Sequence, residues 1–331
     1  MTRLRPALRP TPPAGRALRP TPPAGRARRP TPPAGRSRRI PLPGPRAGRP
    51  AQPGGRALRS PLHGGPLAHA VLIAATVAFA FPFYWTLVAA SRSNAELSAA
   101  TPALTPGPNL LHNLGEALRQ AAIGRALLNS LLVSATVTAG VVLSSTLAGF
   151  AFAKLRFRGR GLLLAVTVAT MMIPPQLGVI PLFMLIVRLD LQNTLPSVIL
   201  PSLVSAFGVF FMRQYLVQAL PDELVEAGRV DGASLLRIFR SIVLPVARPG
   251  MAVLGMLTFM ATWNDFFWPI VALSSQNPTV QVALKSLGQG YVPDQSVVMA
   301  GALLGTLPVL LVFGVLGRQI VGGILQGAVK G

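Results

Sequence analysis

Six stretches of this chain are apolar for long enough to cross a bilayer as helices, and that leaves few folds open to it. A helix needs roughly 20 apolar residues to span ~30 Å of hydrocarbon. The first stretch covers residues 67–90. The second lies between Arg125 and Lys154, the third between Arg160 and Arg188, and the fourth between Asp190 and Arg213. The fifth covers residues 246–273, with Asp265 as its one acid, and the sixth covers 296–316. Composition agrees: 51% of the residues are hydrophobic, and nine acidic side chains are too few to coat a water-exposed surface of this size. The expected fold is therefore an all-α membrane protein with six transmembrane helices.

Basic residues in short loops set orientation. The loop after the second span holds Lys154, Arg156, Arg158 and Arg160 with no acid, and the loop after the fourth holds Arg229, Arg237, Arg240 and Arg248. The opposite loops are sparse in charge, with Arg188 and Asp190 in one and Lys285 and Asp294 in another. An even span count puts both termini on the basic side. The expected location is a cell membrane, inner or plasma, crossed several times, with both termini cytosolic.

The net charge of +22 belongs mostly to a tail. Fifteen of the 31 basic residues precede residue 60, and no acid does. Residues 7–36 are three tandem units, ALRPTPPAGR twice and ARRPTPPAGR once. Proline at this density blocks helix and sheet hydrogen bonding, and little apolar side chain is present to bury. Residues 1–65 are expected to be a disordered leader, distinct from a domain over residues 66–331. It could rest on anionic lipid, bind phosphates of nucleic acid, or have no specific role. It lacks the aromatic residues that stack on bases, and no nucleic-acid partner is expected.

Several chemistries are excluded. The chain has no cysteine, hence no disulfide, thiolate metal site or thiol nucleophile. His63, His69 and His112 form no metal-binding spacing, so neither a metal nor another cofactor is expected. A phosphate-binding loop needs Gly-Lys-Ser/Thr. None of the lysines, Lys154, Lys285 and Lys330, follows a glycine. No catalytic residue is expected.

Between the fourth and fifth stretches the chain reads LPDELVEAGRVDGASLLRIFRSIVLP. Pro221, Asp222 and Glu223 suit a helix start. Asp231-Gly232 marks a turn. Leu235, Ile238, Phe239 and Ile242 then recur at helical spacing, and Pro245 marks the start of the fifth span. The expected unit is two short helices joined at Gly232 on the basic face. Within the spans, Gly140, Ser144 and Ala148 share one helix face, as do Gly301 and Gly305, and such small residues let helices approach closely in lipid. Pro174, Pro175, Pro181 and Pro201 are expected to kink or interrupt the third and fourth spans.

The loop resembles the signature of binding-protein-dependent ABC import permeases: Glu-Ala-Ala, three residues, Gly, nine residues, Ile, one residue, Leu-Pro. Here Glu226, Ala227, Gly232, Ile242, Leu244 and Pro245 stand in register, and Gly228 replaces the second alanine. Thr262-Trp263-Asn264-Asp265-Phe266-Phe267-Trp268-Pro269, Met172-Ile173-Pro174-Pro175-Gln176, Met299-Ala300-Gly301, Thr306-Leu307-Pro308 and the terminal Gly327-Ala328-Val329-Lys330-Gly331 are similar to the maltose-type, MalG-like branch of carbohydrate importers. The resemblance implies a permease subunit of an ATP-driven sugar importer, with the loop as its coupling helix. It also implies two copies of an ATPase subunit, a second homologous permease, an extracytoplasmic solute-binding protein docking near residues 274–295, and a sugar substrate. Trp263, Asn264, Asp265 and Trp268 are candidates for sugar contact, by aromatic stacking and hydrogen bonds to hydroxyls; the alternative is interfacial anchoring. Two other functions stay open: an ABC permease for a non-sugar solute such as an oligopeptide or polyamine, and an ion-coupled secondary carrier, for which Asp265 is the one intramembrane acid. Deleting residues 2–60 is expected to leave transport intact, checked by uptake alongside membrane insertion. A shortened chain that inserts but does not transport contradicts this.

Overall fold

The computed structural model describes residues 65–101, 103–289 and 292–328, and the regular elements among them are all helices. The expected leader, but for Gly65, and the terminal residues 329–331 lie outside the described residues. The helices run in the order α1 Pro66–Ser91, α2 Asn94–Leu97, α3 Leu110–Gln120, α4 Ile123–Lys154, α5 Arg160–Thr170, α6 Val179–Arg188 and α7 Leu195–Ser202. They continue with α8 Ala206–Ala219, α9 Asp222–Val230, α10 Leu235–Ile238, α11 Leu244–Trp263, α12 Phe267–Ala272, α13 Val280–Leu287 and α14 Gln295–Ala328. Four helices are long and apolar enough to cross a membrane, or up to 6 if each of two bent pairs counts as one span.

The α4 helix is the hub, packed against both α8 and α11, which also pack on each other. Its buried valines, Val133, Val137 and Val141, face the core. Small residues allow the close approach. A Cβ on Gly149 would lie 2.8 Å from the backbone nitrogen of Arg213, and one on Gly140 would lie 2.6 Å from a methyl of Leu203. Ser144 donates to the carbonyl of Leu203 at 3.4 Å. On α14, Gly301 and Gly305 receive Leu284, Leu287 and Val280 of α13 in the same manner. By contrast, α1 is apolar all round and buries only its last turn, Val88 to Ser91. Such a helix faces lipid or another hydrophobic chain. Its end is held by Asn113 of α3, which donates to the carbonyls of Ala90 and Arg92 at 2.9 and 2.8 Å.

The prolines act as their chemistry dictates, lacking an N–H and restricting the preceding residue. The third expected span is two arms at 90°: α5, then a 3-10 turn Pro175–Gly178 running into α6. The fourth is α7 and α8 bent by 41° after Pro201. It also outruns its expected end, since α8 continues past Arg213 to Ala219.

The expected pair of short helices takes a different form. The first, α9, ends in a turn where the Gly232 N–H donates to the Arg229 carbonyl at 3.0 Å and that of Ala233 to Gly228 at 2.9 Å. The second does not end before the membrane. It runs from Leu235 to Trp263 as one 29-residue helix. Pro245 starts no new span. It sits inside this helix, directly after a π turn, Phe239–Val243, closed by the Leu244 N–H on the Phe239 carbonyl. The wide turn absorbs the donor that proline lacks, so the helix continues through it.

Two glycines shape α9 for different reasons. Gly232 has φ +74°, with nothing near its would-be Cβ, so backbone conformation alone demands glycine there. Gly228 is helical and buried; a Cβ would meet Ile238 and Ile242, each at 3.2 Å. Gly232→Ala is expected to cost about 1–2 kcal/mol, from the left-handed backbone. Gly228→Ala is expected to stay within about 1 kcal/mol of wild type, because better helix propensity offsets a small shift of the two isoleucines. Thermal unfolding in detergent checks the pair. A lower midpoint for Gly228→Ala than for Gly232→Ala contradicts it.

Candidate functional site

The α9 helix is tied down at both ends and presents its outer side. At its start, the Lys154 ammonium at the end of α4 contacts Asp222 at 2.7 Å; the lysine side chain is 7% exposed and the aspartate 74%. The hydrogen bond from Lys154, with the nearby charges of Lys154, Arg156 and Arg160, holds the Asp222 carboxyl below the usual carboxylate range. Val225 is 4% exposed and packs into the core. At the far end, Gly228 rests on Ile238 and Ile242.

The signature residues divide between two roles. Gly228 is buried, and Ile242 and Leu244 are half-buried. Gly228 and Ile242 hold α9 against the helix that begins at Leu235. Glu226, Ala227, Gly232 and Pro245 are exposed. Apolar side chains at the end of α9 and the start of α10 are exposed as well: Val230 is 88% exposed, Leu235 50% and Leu236 55%. A solvated connector gains nothing from a bare valine and two bare leucines around a short helix, whereas a docking surface does. Between α9 and the α4–α5 connection lies a cleft of about 580 Å³, lined by Lys154, Arg156, Arg160, Asp222, Glu226 and Arg229.

At the opposite end of α11, the four candidate sugar contacts sit at a helix break. Trp263 is 2% exposed, and its indole Nε1 donates to the Gly305 carbonyl at 3.0 Å. Trp268 is 8% exposed and donates to the Ser197 carbonyl at 3.0 Å. Both rings lock the break to neighbouring helices. Asp265 accepts from the Phe267 N–H at 3.1 Å, at the first residue of α12. Asn264 is exposed and lines a cleft of about 350 Å³ with Phe83, Gln281 and Thr306. The break thus offers polar groups backed by aromatic side chains that are already occupied.

The loop between α12 and α13 is fastened by residues whose role was not visible in sequence. Asn193, with φ +56°, accepts from the Ser274 N–H and hydroxyl, both at 2.9 Å. Asn277 donates to the Asn193 carbonyl at 2.8 Å, and Asn129 of α4 to that of Pro278 at 2.9 Å. Among the described residues, no group of three or more histidines and acids is placed to hold a metal.

Comparison with known proteins agrees with this geometry. The profile of the family described as "Binding-protein-dependent transport system inner membrane component" matches residues 140–326. The lactose transport system permease protein LacG of Rhizobium radiobacter is 35% identical over 263 residues, 79% of this chain and 95% of that protein. The sn-glycerol-3-phosphate transport system permease protein UgpE of Pectobacterium atrosepticum is 35% identical over 269 residues, 78% of this chain and 95% of that one. The arabinooligosaccharides transport system permease protein AraQ of Halalkalibacterium halodurans is 35% identical over 204 residues, 61% of this chain and 73% of that one. A chain of a bacterial ABC transporter involved in import of the acidic polysaccharide alginate shares the fold, with TM-score 0.66, 23% identity, and coverage of 76% of this chain and 95% of that one. This chain belongs to the inner-membrane components of binding-protein-dependent transport systems and is a multi-pass membrane permease.

Proposed function

We propose that this chain is one of two permease subunits in an ATP-driven importer of sugars. The observation that carries the reading is the bare surface around Glu226. Its glutamate, small alanine and three exposed apolar side chains cap a helix that is anchored to the membrane-spanning bundle. An ATPase subunit seated there pushes on α9, and α9 transmits the push through Lys154 to α4 and through Gly228 to the helix leading into α11. A second, homologous permease and two ATPase copies complete the assembly.

The basic loops support an orientation with α9 and both termini in the cytosol and the loop fastened by Asn193 outside, where a solute-binding protein delivers the cargo. Residues 66–331 form the transporting domain, and the leader plays no part in transport. The names of the relatives support a polyhydroxylated cargo: lactose, arabinooligosaccharides and sn-glycerol-3-phosphate all present hydroxyl-rich carbon chains. Asn264 and Asp265 supply polar contacts for such a cargo, while Trp263 and Trp268 hold the break in shape.

Glu226→Lys reverses the charge at the docking surface, and Gly232→Asp strains its turn. Each is expected to abolish sugar uptake while leaving membrane insertion normal, with ATPase affinity weakened at least about tenfold, equivalent to ~1.4 kcal/mol. Uptake assays and co-purification of the ATPase measure the two effects. Wild-type uptake in either variant contradicts the coupling role.

A further inference from the structure

The cleft of about 580 Å³ beside α9 shares Glu226 with the proposed docking surface, and its other charged side chains are divided between α9 and the α4–α5 connection. Its size is that of a small-molecule site. Four cations, Lys154, Arg156, Arg160 and Arg229, line it against two carboxylates, Asp222 and Glu226. Lys154 and Asp222 neutralise each other at 2.7 Å. What remains is three guanidinium groups around one glutamate, an excess of positive charge in a concave space. Arg160 is already oriented. Two of its N–H groups reach the carbonyls of Leu155 and Ala153 at 3.2 and 3.4 Å. Guanidinium carries five donors, so three are left for a ligand. Among the described residues, Arg156 and Arg229 belong to none of the ion pairs that form.

The position of the cleft narrows its ligand. It lies where α4 ends and α5 begins, at the rim of two membrane-spanning segments. The α5 helix that leaves it buries no residue; Leu162 is 71% exposed, Leu163 52% and Val166 53%. A basic cradle that opens onto an apolar helix left exposed by this chain suits a molecule with an anionic head and an acyl tail. Planar guanidinium forks pair bidentately with phosphate oxygens, and basic pockets at the ends of transmembrane helices take anionic headgroups.

We propose that this cleft binds a phosphate group, as carried by an anionic phospholipid headgroup or by free phosphate. Arg156 and Arg160 are its principal ligands and the exposed face of α5 is the track for the acyl chain. Glu226 lines the same cleft, so an occupied site sets the charge next to the proposed coupling surface. The proposal does not depend on that coupling role, because its test needs neither ATPase nor transport.

The experiment uses the purified, delipidated full chain in detergent and native mass spectrometry. The probes are phosphatidylglycerol, phosphatidylcholine and inorganic phosphate. The wild-type chain is expected to retain phosphatidylglycerol in preference to phosphatidylcholine. Replacing both Arg156→Gln and Arg160→Gln is expected to lower that retention about tenfold, or ~1.4 kcal/mol. A pair with the same charge loss outside the cleft, Arg237→Gln and Arg240→Gln, is expected to keep it. Displacement of the lipid by millimolar inorganic phosphate identifies free phosphate as a ligand, and resistance to displacement identifies the lipid. Equal loss in the two pairs, or none in the first, overturns the proposal. Should the first pair fail to fold, thermal unfolding of the wild type decides, because a ligand of the folded state raises the midpoint. Phosphatidylglycerol must raise it where phosphatidylcholine does not; equal shifts overturn the proposal.

Discussion

The backbone-to-backbone approach of α4 and α8 at Gly149 sets the place of most other elements. Lipid offers no hydrophobic drive to bring two apolar helices together, so their packing depends on close contact between small residues. At Gly149 the neighbouring chain comes within 2.8 Å of where a side chain would begin. With α8 fixed, its continuation through Leu220 delivers α9 to the end of α4. There the Lys154–Asp222 contact, 68 residues apart in sequence, closes the loop. The helix from Leu235 to Trp263 packs on both α4 and α8 and carries the polar break at its far end.

This arrangement joins the two ends of the molecule mechanically. The basic face carries α9, and the opposite face carries the helix break at Asn264 and Asp265. One unbroken helix connects them, because the π turn before Pro245 keeps the helix continuous. A displacement of α9 therefore has a single continuous helix between it and the break. On the proposed reading, that helix is the shaft that links ATPase closure to the cargo pathway, and the buried tryptophans keep its outer end seated.

Much of this was legible in sequence, because the bilayer demands long apolar helices and hydropathy reports them directly. The interruptions by Pro174, Pro175 and Pro201 were legible too, since proline acts locally. Three features were not. Pro245 was read as the start of the fifth span, and only the three-dimensional ladder reveals that a π turn lets one helix continue through it. Trp263 and Trp268 were read with Asn264 and Asp265 as one chemical set. Their indole N–H groups instead find the carbonyls of Gly305 and Ser197, partners distant in sequence. The exposure of Val230, Leu235 and Leu236 was also hidden, because helical spacing marks an apolar face without saying whether the chain itself covers it.

The central claim is that the outer side of α9 is where an ATPase subunit sits. The chain has no cysteine, so a single one at Ala227 is a clean reporter. The decisive measurement is maleimide labelling of Ala227→Cys in membranes, with and without the co-assembled ATPase. The account predicts rapid labelling of the chain alone and strong protection in the complex, while a cysteine placed at Ser274 labels equally in both. Labelling of Ala227→Cys that is unchanged by an assembled ATPase would contradict it.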